Sequence, residues 1–339
     1  MTRTSRGFLT SGFVQTMTGN RWLFGLTLVV VFALARVATW GYPFDSDHWI
    51  FYYVGHNWIV GGGDLYVDAW DHKPPMIFLF NGIMAALFGD NIVLHRIFLT
   101  ALTVLDVWLF YLVAKRVMPA LLAGIRSTAS PSTVIKLTVL LYVFLRNLSQ
   151  FTSSGNNTEA FAIIFLLTMV LFYLRFVETG KWWWILLAGF SLAILFWFKA
   201  NLLMMGAVIG LFMLIYGWKN KGHLVRDVAL FVLPLVVVSA AWFAYFWSMG
   251  DLNDFIIASF TFSSKYAASA WSGKVSSNFL LIITTAALAV PALAFFVLYL
   301  RDIRAQKSNQ YYLLIGSLLV GGLILIGAVG SFYAYYLLI

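Results

Sequence analysis

The chain has 339 residues, of which 62% are hydrophobic and only 10% charged. A soluble domain is about half apolar and about a quarter charged, and no soluble fold of this size could cover so much apolar surface. The formal net charge of +9 would suggest nucleic acid on a soluble protein; here it fits basic residues gathered at cytoplasmic helix ends, and no nucleic-acid partner is expected.

Lipid must therefore solvate the chain, and lipid admits only helices or a closed barrel. The apolar runs are mostly 17–23 residues long and do not alternate, which predicts helices. With no cysteine, disulfides, thiolate metal sites and Cys nucleophiles are excluded. No internal repeat or low-complexity segment is visible.

Arg3, Arg6 and Arg21 precede the first apolar run, 22–40. Ala33-Leu34-Ala35 could be read as a signal-peptidase site, but the run continues through Trp40 and is long enough to span, so an uncleaved first helix is expected. Further runs follow near 76–89, 93–114, 135–151, 160–177, 182–199, 201–218, 228–248, 278–300 and 311–329. The run at 76–89 is short, contains Asn81 and begins at Pro74-Pro75. About 20 residues are needed to cross the hydrocarbon.

Charge decides how that run is read. If it lies in the outer interface, 15 Lys/Arg fall inside and six fall outside (Lys73, Arg96, Arg146, Lys199, Lys265 and Lys274), with Arg36 within the first span. If it crosses, every later loop inverts. The asymmetry predicts about nine spans, a cytoplasmic N-terminus and an extracytoplasmic first loop that contains two interfacial helices. The expectation is a single all-α transmembrane domain over 1–339, in the plasma (inner) membrane. Nine of the 13 acidic residues then face outward, which points to site chemistry, since acidic residues carry little topological information.

The outer region 41–92 holds six Asp, three His, Lys73 and many aromatics. Asp47 to Val60 suits an interfacial helix, ended by Gly61-Gly62-Gly63. Lys73-Pro74-Pro75 opens the second, with Pro where its missing N–H costs nothing. A second outer region runs from Asn147 to Glu159 and a third over 250–277. Asp45-Ser46-Asp47 places two carboxylates together at the membrane surface. One could take a proton from an acceptor hydroxyl, or both could hold a divalent cation, Mg or Mn. Lys73 and Arg96 could neutralise a phosphate leaving group. A lipid-linked phosphosugar would bring its phosphate to this depth, which gives glycosyl transfer as the functional reading.

Blander readings stand beside it. Outer carboxylates often cap helices or are solvated. His48, His56 and His72 lack metal-ligand spacing. Asp106 lies within a span, where it is either functional or paired with a neighbouring helix. Lys199, between two spans, can be read as a lysine near a helix end that snorkels to the interface. A transporter is disfavoured, because the charges crowd one outer loop and no repeat is seen.

The first loop resembles that of GT-C membrane glycosyltransferases, the glycosyltransferase 39-like group related to protein O-mannosyltransferases and the lipid A aminoarabinose transferase. The shared order appears here as Asp47, Tyr52, Gly62, Tyr66-Val67-Asp68 and Asp71-His72-Lys73-Pro74-Pro75. Arg96, Asn156-Asn157-Thr158-Glu159, the segment from Gly189 to Lys199-Ala200-Asn201 and Ser331 to Tyr336 resemble later motifs of the group. The resemblance implies a GT-C-like helical bundle that moves a sugar from a polyprenyl-phosphate donor to a glycan, lipid or protein acceptor. By resemblance, Asp47 is the catalytic carboxylate, Asp45 assists it or binds metal, and Glu159 shapes the site. Lys73 contacts the donor phosphate, and Arg96, Tyr66, Asp68, His72 and Lys199 stand at the substrate. The group often carries His where this chain has Ala334, and many members run longer. Those departures suggest, as the alternative, an accessory subunit of a membrane complex that keeps the fold without the reaction.

Overall fold

The computed structural model describes residues 12–41, 43–124, 130–147, 155–217, 223–262 and 265. The expected spans at 278–300 and 311–329, the aromatic motif at 331–336 and Lys274 lie outside the described residues. Within them the chain is helical, and the nearest approach to a strand is an isolated bridge between Leu65 and Ala69.

A short α1 (Gly12–Gly19) leads into α2 (Arg21–Trp40). Then come α3 (Ser46–Ile59) and α4 (Pro75–Phe88), where two interfacial helices were expected. At about 1.5 Å per residue, α4 is about 21 Å long, short of the roughly 30 Å hydrocarbon core. The following helix, α5 (Ile92–Gly124), passes well beyond the apolar run at 93–114. Hydropathy ends at Lys115-Arg116, but nothing there breaks a helix, and Pro119 is carried inside it. α6 (Pro131–Arg146) opens with Pro at its first turn.

Next are α7 (Thr158–Thr179), α8 (Trp182–Phe198), a 3-10 turn at Ala200–Leu202 and α9 (Leu203–Gly217). α10 (Leu224–Met249) is followed by α11 (Leu252–Ile256) and a π-helical turn, Ile257–Phe262. Among the described residues, three helices are long and apolar enough to cross a membrane: Ile92–Ala123, Thr158–Thr179 and Leu224–Met249.

α7 is the central element. It packs against α5 and α8, and α8 packs against α10. The two long helices α5 and α10 leave apolar surface outside, including Val232, Leu233, Val236 and Val237 on α10 and Ile97, Val104 and Trp108 on α5. Bilayer lipid is the natural cover for such faces. The main core runs from Phe51 and Phe78 through Phe161 and Met169 to Trp197, Phe198, Phe246 and Phe255. A smaller core of Val107, Ala114, Ile135, Val139 and Val143 joins α5 to α6.

Asp106 belongs to that second junction. Its Oδ1 accepts from Tyr142 Oη at 2.5 Å and its Oδ2 from Arg146 Nε at 2.5 Å. Of the two readings of this intramembrane acid, the geometry favours a helix-to-helix tie.

The crossing of α3 and α4 sets the site. A Cβ at Gly55 would run into the Phe78 carbonyl oxygen and the Gly82 amide nitrogen. One at Gly82 would run into Ile59 and the Gly55 carbonyl. Only glycine at both positions lets these backbones touch.

Candidate functional site

Asp45 is the N-cap of α3: its Oδ1 accepts from the His48 amide at 3.0 Å. The carboxylate expected to assist catalysis or bind metal thus satisfies an otherwise open backbone donor. The next carboxylate, Asp47, lies in the first turn of α3 and is half-buried. Burial pushes it above the ordinary carboxylate range; Lys73 opposes that, and Asp45, Asp71 and Glu159 add to it. These residues come from three separate segments and act on one another electrostatically.

The loop between α3 and α4 is built around Tyr66. Gly62 supplies a left-handed turn with φ 73°, as the glycine run predicts, and Tyr66 adopts the same φ of 73° without being glycine. That conformation costs a side-chain residue about 1–2 kcal/mol. Its surroundings hold it there: the ring packs among Phe78, Phe246 and Phe255. Its hydroxyl donates to the Lys73 carbonyl at 2.8 Å and accepts from Ser259 Oγ at 3.3 Å. Burial raises the Tyr66 phenol far above its usual range, so it stays neutral. Tyr66, expected at the substrate, thereby supports the Lys73 backbone from below. Asp68 also shapes the loop, its Oδ2 accepting from the Asp64 amide at 2.8 Å.

Lys73 donates to His72 Nε2 at 2.8 Å. An ammonium can only donate, so His72 carries its proton on Nδ1. That nitrogen stands 3.6 Å from Asp71 Oδ1. Burial, then Lys73, lowers His72 to about 4, which keeps it neutral and able to accept. Asp71 is raised by burial, opposed by Lys73 and by the backbone N–H groups of Lys73 and His72. Asp71 was read as part of the motif and given no role; it is a third carboxylate of this cluster.

Glu159 and Lys199 form a buried ion pair. Glu159 also accepts from Thr158 Oγ1 at 2.9 Å. Asn157 caps α7, its Oδ1 accepting from the Ala160 amide at 2.7 Å, and so fixes where Glu159 projects. Lys199 ends α8 on extended backbone, and its ammonium also feels Lys73. It is therefore an inward-facing partner of Glu159, not a snorkelling surface lysine. Arg96 stands over the Phe44 ring at 4.4 Å, at the start of α5.

The cluster thus holds Asp47, Asp71 and Glu159 against Lys73 and Lys199, with His72 neutral between Asp71 and Lys73. Among the described residues no group of three or more His, Cys, Asp or Glu side chains could hold a metal ion. Asp45, the other carboxylate weighed for a cation, is engaged as a helix cap, and Asp45 and Asp47 belong to no such group.

An all-helical membrane fold with acidic and basic groups gathered beside α3 and α4 defines the class: an integral membrane protein of the GT-C type. The profile of the dolichyl-phosphate-mannose-protein mannosyltransferase family matches residues 72–243, half of the chain. The chain belongs to that family, and is a membrane glycosyltransferase. No curated protein and no solved structure matches it.

Proposed function

We propose that this protein moves a sugar from a polyprenyl monophosphate to an acceptor hydroxyl at the extracytoplasmic face of the membrane. The observation that carries the proposal is the coupling of Asp47 to Lys73 and Glu159, three groups far apart in sequence. In the reaction the acceptor oxygen attacks the anomeric carbon. The bond from that carbon to the phosphate oxygen breaks, and its electron pair leaves with the polyprenyl phosphate. Asp47 takes the hydroxyl proton as general base. Lys73 moves from His72 to the departing phosphate and offsets its growing charge. Glu159, neutralised by Lys199, borders the same space and completes its wall.

The raised Asp47 suits a base, since proton transfer is most efficient when the catalytic pKa approaches the working pH. The donor class is supported by the family description, and by the Lys73 ammonium, which is held by a neutral His72 and so can be handed to a phosphate. The outer location rests on the Lys/Arg asymmetry.

The test is a transfer assay with the purified full chain in proteoliposomes, using radiolabelled sugars on polyprenyl monophosphates and a panel of hydroxyl acceptors. Release of polyprenyl phosphate matched by labelled acceptor is expected. Transfer from nucleotide sugars instead, or none from any lipid donor, would overturn the proposal.

A further inference from the structure

A second polar group lies buried behind the site, and the reaction as described makes no use of it. Asn156 Nδ2 donates to Asn81 Oδ1 at 2.7 Å and to His48 Nδ1 at 2.9 Å. Asn81 Nδ2 returns a longer bond to Asn156 Oδ1 at 3.3 Å and donates to the Ile77 carbonyl at 2.8 Å. All three side chains are essentially sealed from solvent. The bonding fixes the protons: His48 Nδ1 accepts, so its hydrogen sits on Nε2.

Each member adjoins a residue of the site. His48 follows Asp47 on α3. Asn81 lies in α4, the helix that begins just after Lys73. Asn156 precedes Glu159 by three residues, at the head of α7. One amide therefore ties together the three segments that deliver the base, the phosphate-facing lysine and the second carboxylate.

The arrangement is a poor choice for stability alone. His48 Nε2 is buried and has no hydrogen-bond partner among the described residues. Its ring stacks on Phe44 with centroids 3.5 Å apart, a place an apolar ring would fill without an orphaned donor. A polar net kept where apolar packing would serve specifies geometry.

We propose that Asn156, acting through His48 and Asn81, is a positioning residue that holds Asp47, Lys73 and Glu159 in register. The inference rests on the transferase reading for its kinetic consequence, but the net itself can be tested without it. Burial first, and then His95 and Arg96 on α5, the titratable and charged groups that face it, keep His48 neutral, lowered to about 3.

Two variants and one spectroscopic measurement test the proposal. His48→Phe keeps the stack on Phe44 and exchanges the orphaned Nε2–H for an orphaned Asn156 N–H, so the protein should fold and melt close to the parent. It also takes away the acceptor for Asn156, and kcat should fall on the order of 10- to 100-fold, as expected for a small misplacement of reacting groups. Asn156→Asp replaces the two donated hydrogens by an acceptor, so His48 must move its proton to Nδ1 or take up a second one. Nitrogen-15 histidine spectra of the full chain in bilayers read that change directly. The expected result is an Nε2–H neutral His48 in the parent, an altered His48 in Asn156→Asp, and low kcat in both folded variants. A stable His48→Phe protein with parental kcat would overturn the proposal, as would an Nδ1–H His48 in the parent. If the parent transfers no sugar from any donor, the transferase reading fails, and the spectra alone then decide whether the net exists.

Discussion

Glu159→Gln removes one charge from a buried pair and leaves the other behind. The side chains of Glu159 and Lys199 are 3% and 15% exposed, so little water reaches an ammonium that has lost its carboxylate. Breaking such a pair from one side costs about 3–5 kcal/mol, most of it the penalty for the orphaned charge. Lys73 sharpens the effect, because its ammonium also repels that of Lys199. Adding Lys199→Met removes the orphan and should restore most of the lost stability, since an apolar pair of similar volume is often neutral or better. Activity should not return, because the wall that borders Asp47 has lost its carboxylate. The assay is a double-variant cycle read by thermal unfolding in detergent and by sugar transfer on the same samples. A Glu159→Gln protein within about 1 kcal/mol of the parent, or a double variant less stable than the single one, would refute the reasoning.

Two further predictions concern the base and the helix crossing. Asp47 must be ionised to accept a proton, so rate should fall on the acid side, with an inflection above the ordinary carboxylate value because burial raises Asp47. Lys73 is the group that holds Asp47 down, so Lys73→Met should move that acid limb to higher pH. Asp71 pushes Asp47 up, so Asp71→Asn should move it to lower pH; a pH–rate profile of the three proteins checks both signs. Gly55→Ala puts a Cβ into the Phe78 carbonyl and the Gly82 amide, so α3 must back away from α4. Overpacking of that kind costs about 1–3 kcal/mol, and separation of Asp47 from Lys73 should slow transfer more than an equal change at an exposed glycine such as Gly19, measured side by side.

Much of this site was legible in the sequence, for physical reasons that can be named. The start of α4 at Pro75 followed from proline's fit to a first helical turn. Asp47, Lys73 and Glu159 could be chosen because acidic residues crowd the segments that the Lys/Arg asymmetry predicts to lie outside and because their motifs resemble a known group. The far end of α5 was not legible, because hydropathy ends where the bilayer ends, whereas a helix ends where its backbone is broken. Tyr66 gave no sign of its left-handed backbone, which usually announces itself as Gly or Asn. The net of His48, Asn81 and Asn156 was beyond reach for a different reason: its bonds join residues 75 and 108 positions apart. The signals it leaves are an asparagine inside the apolar run of α4 and a histidine among aromatics in α3. Lys199 could be read either as a snorkelling residue or as a site residue until its buried partner was located.

The central claim is that Asp47 does the chemistry while Lys73 and its neighbours bind the donor. Asp47→Asn changes almost nothing in size and removes the base. The decisive measurement is single-turnover sugar transfer by this variant, with donor binding measured on the same preparation. The account predicts donor affinity close to that of the parent and a transfer rate lower by roughly 100-fold or more, the scale of a lost general base. A parental transfer rate at unchanged affinity would contradict it.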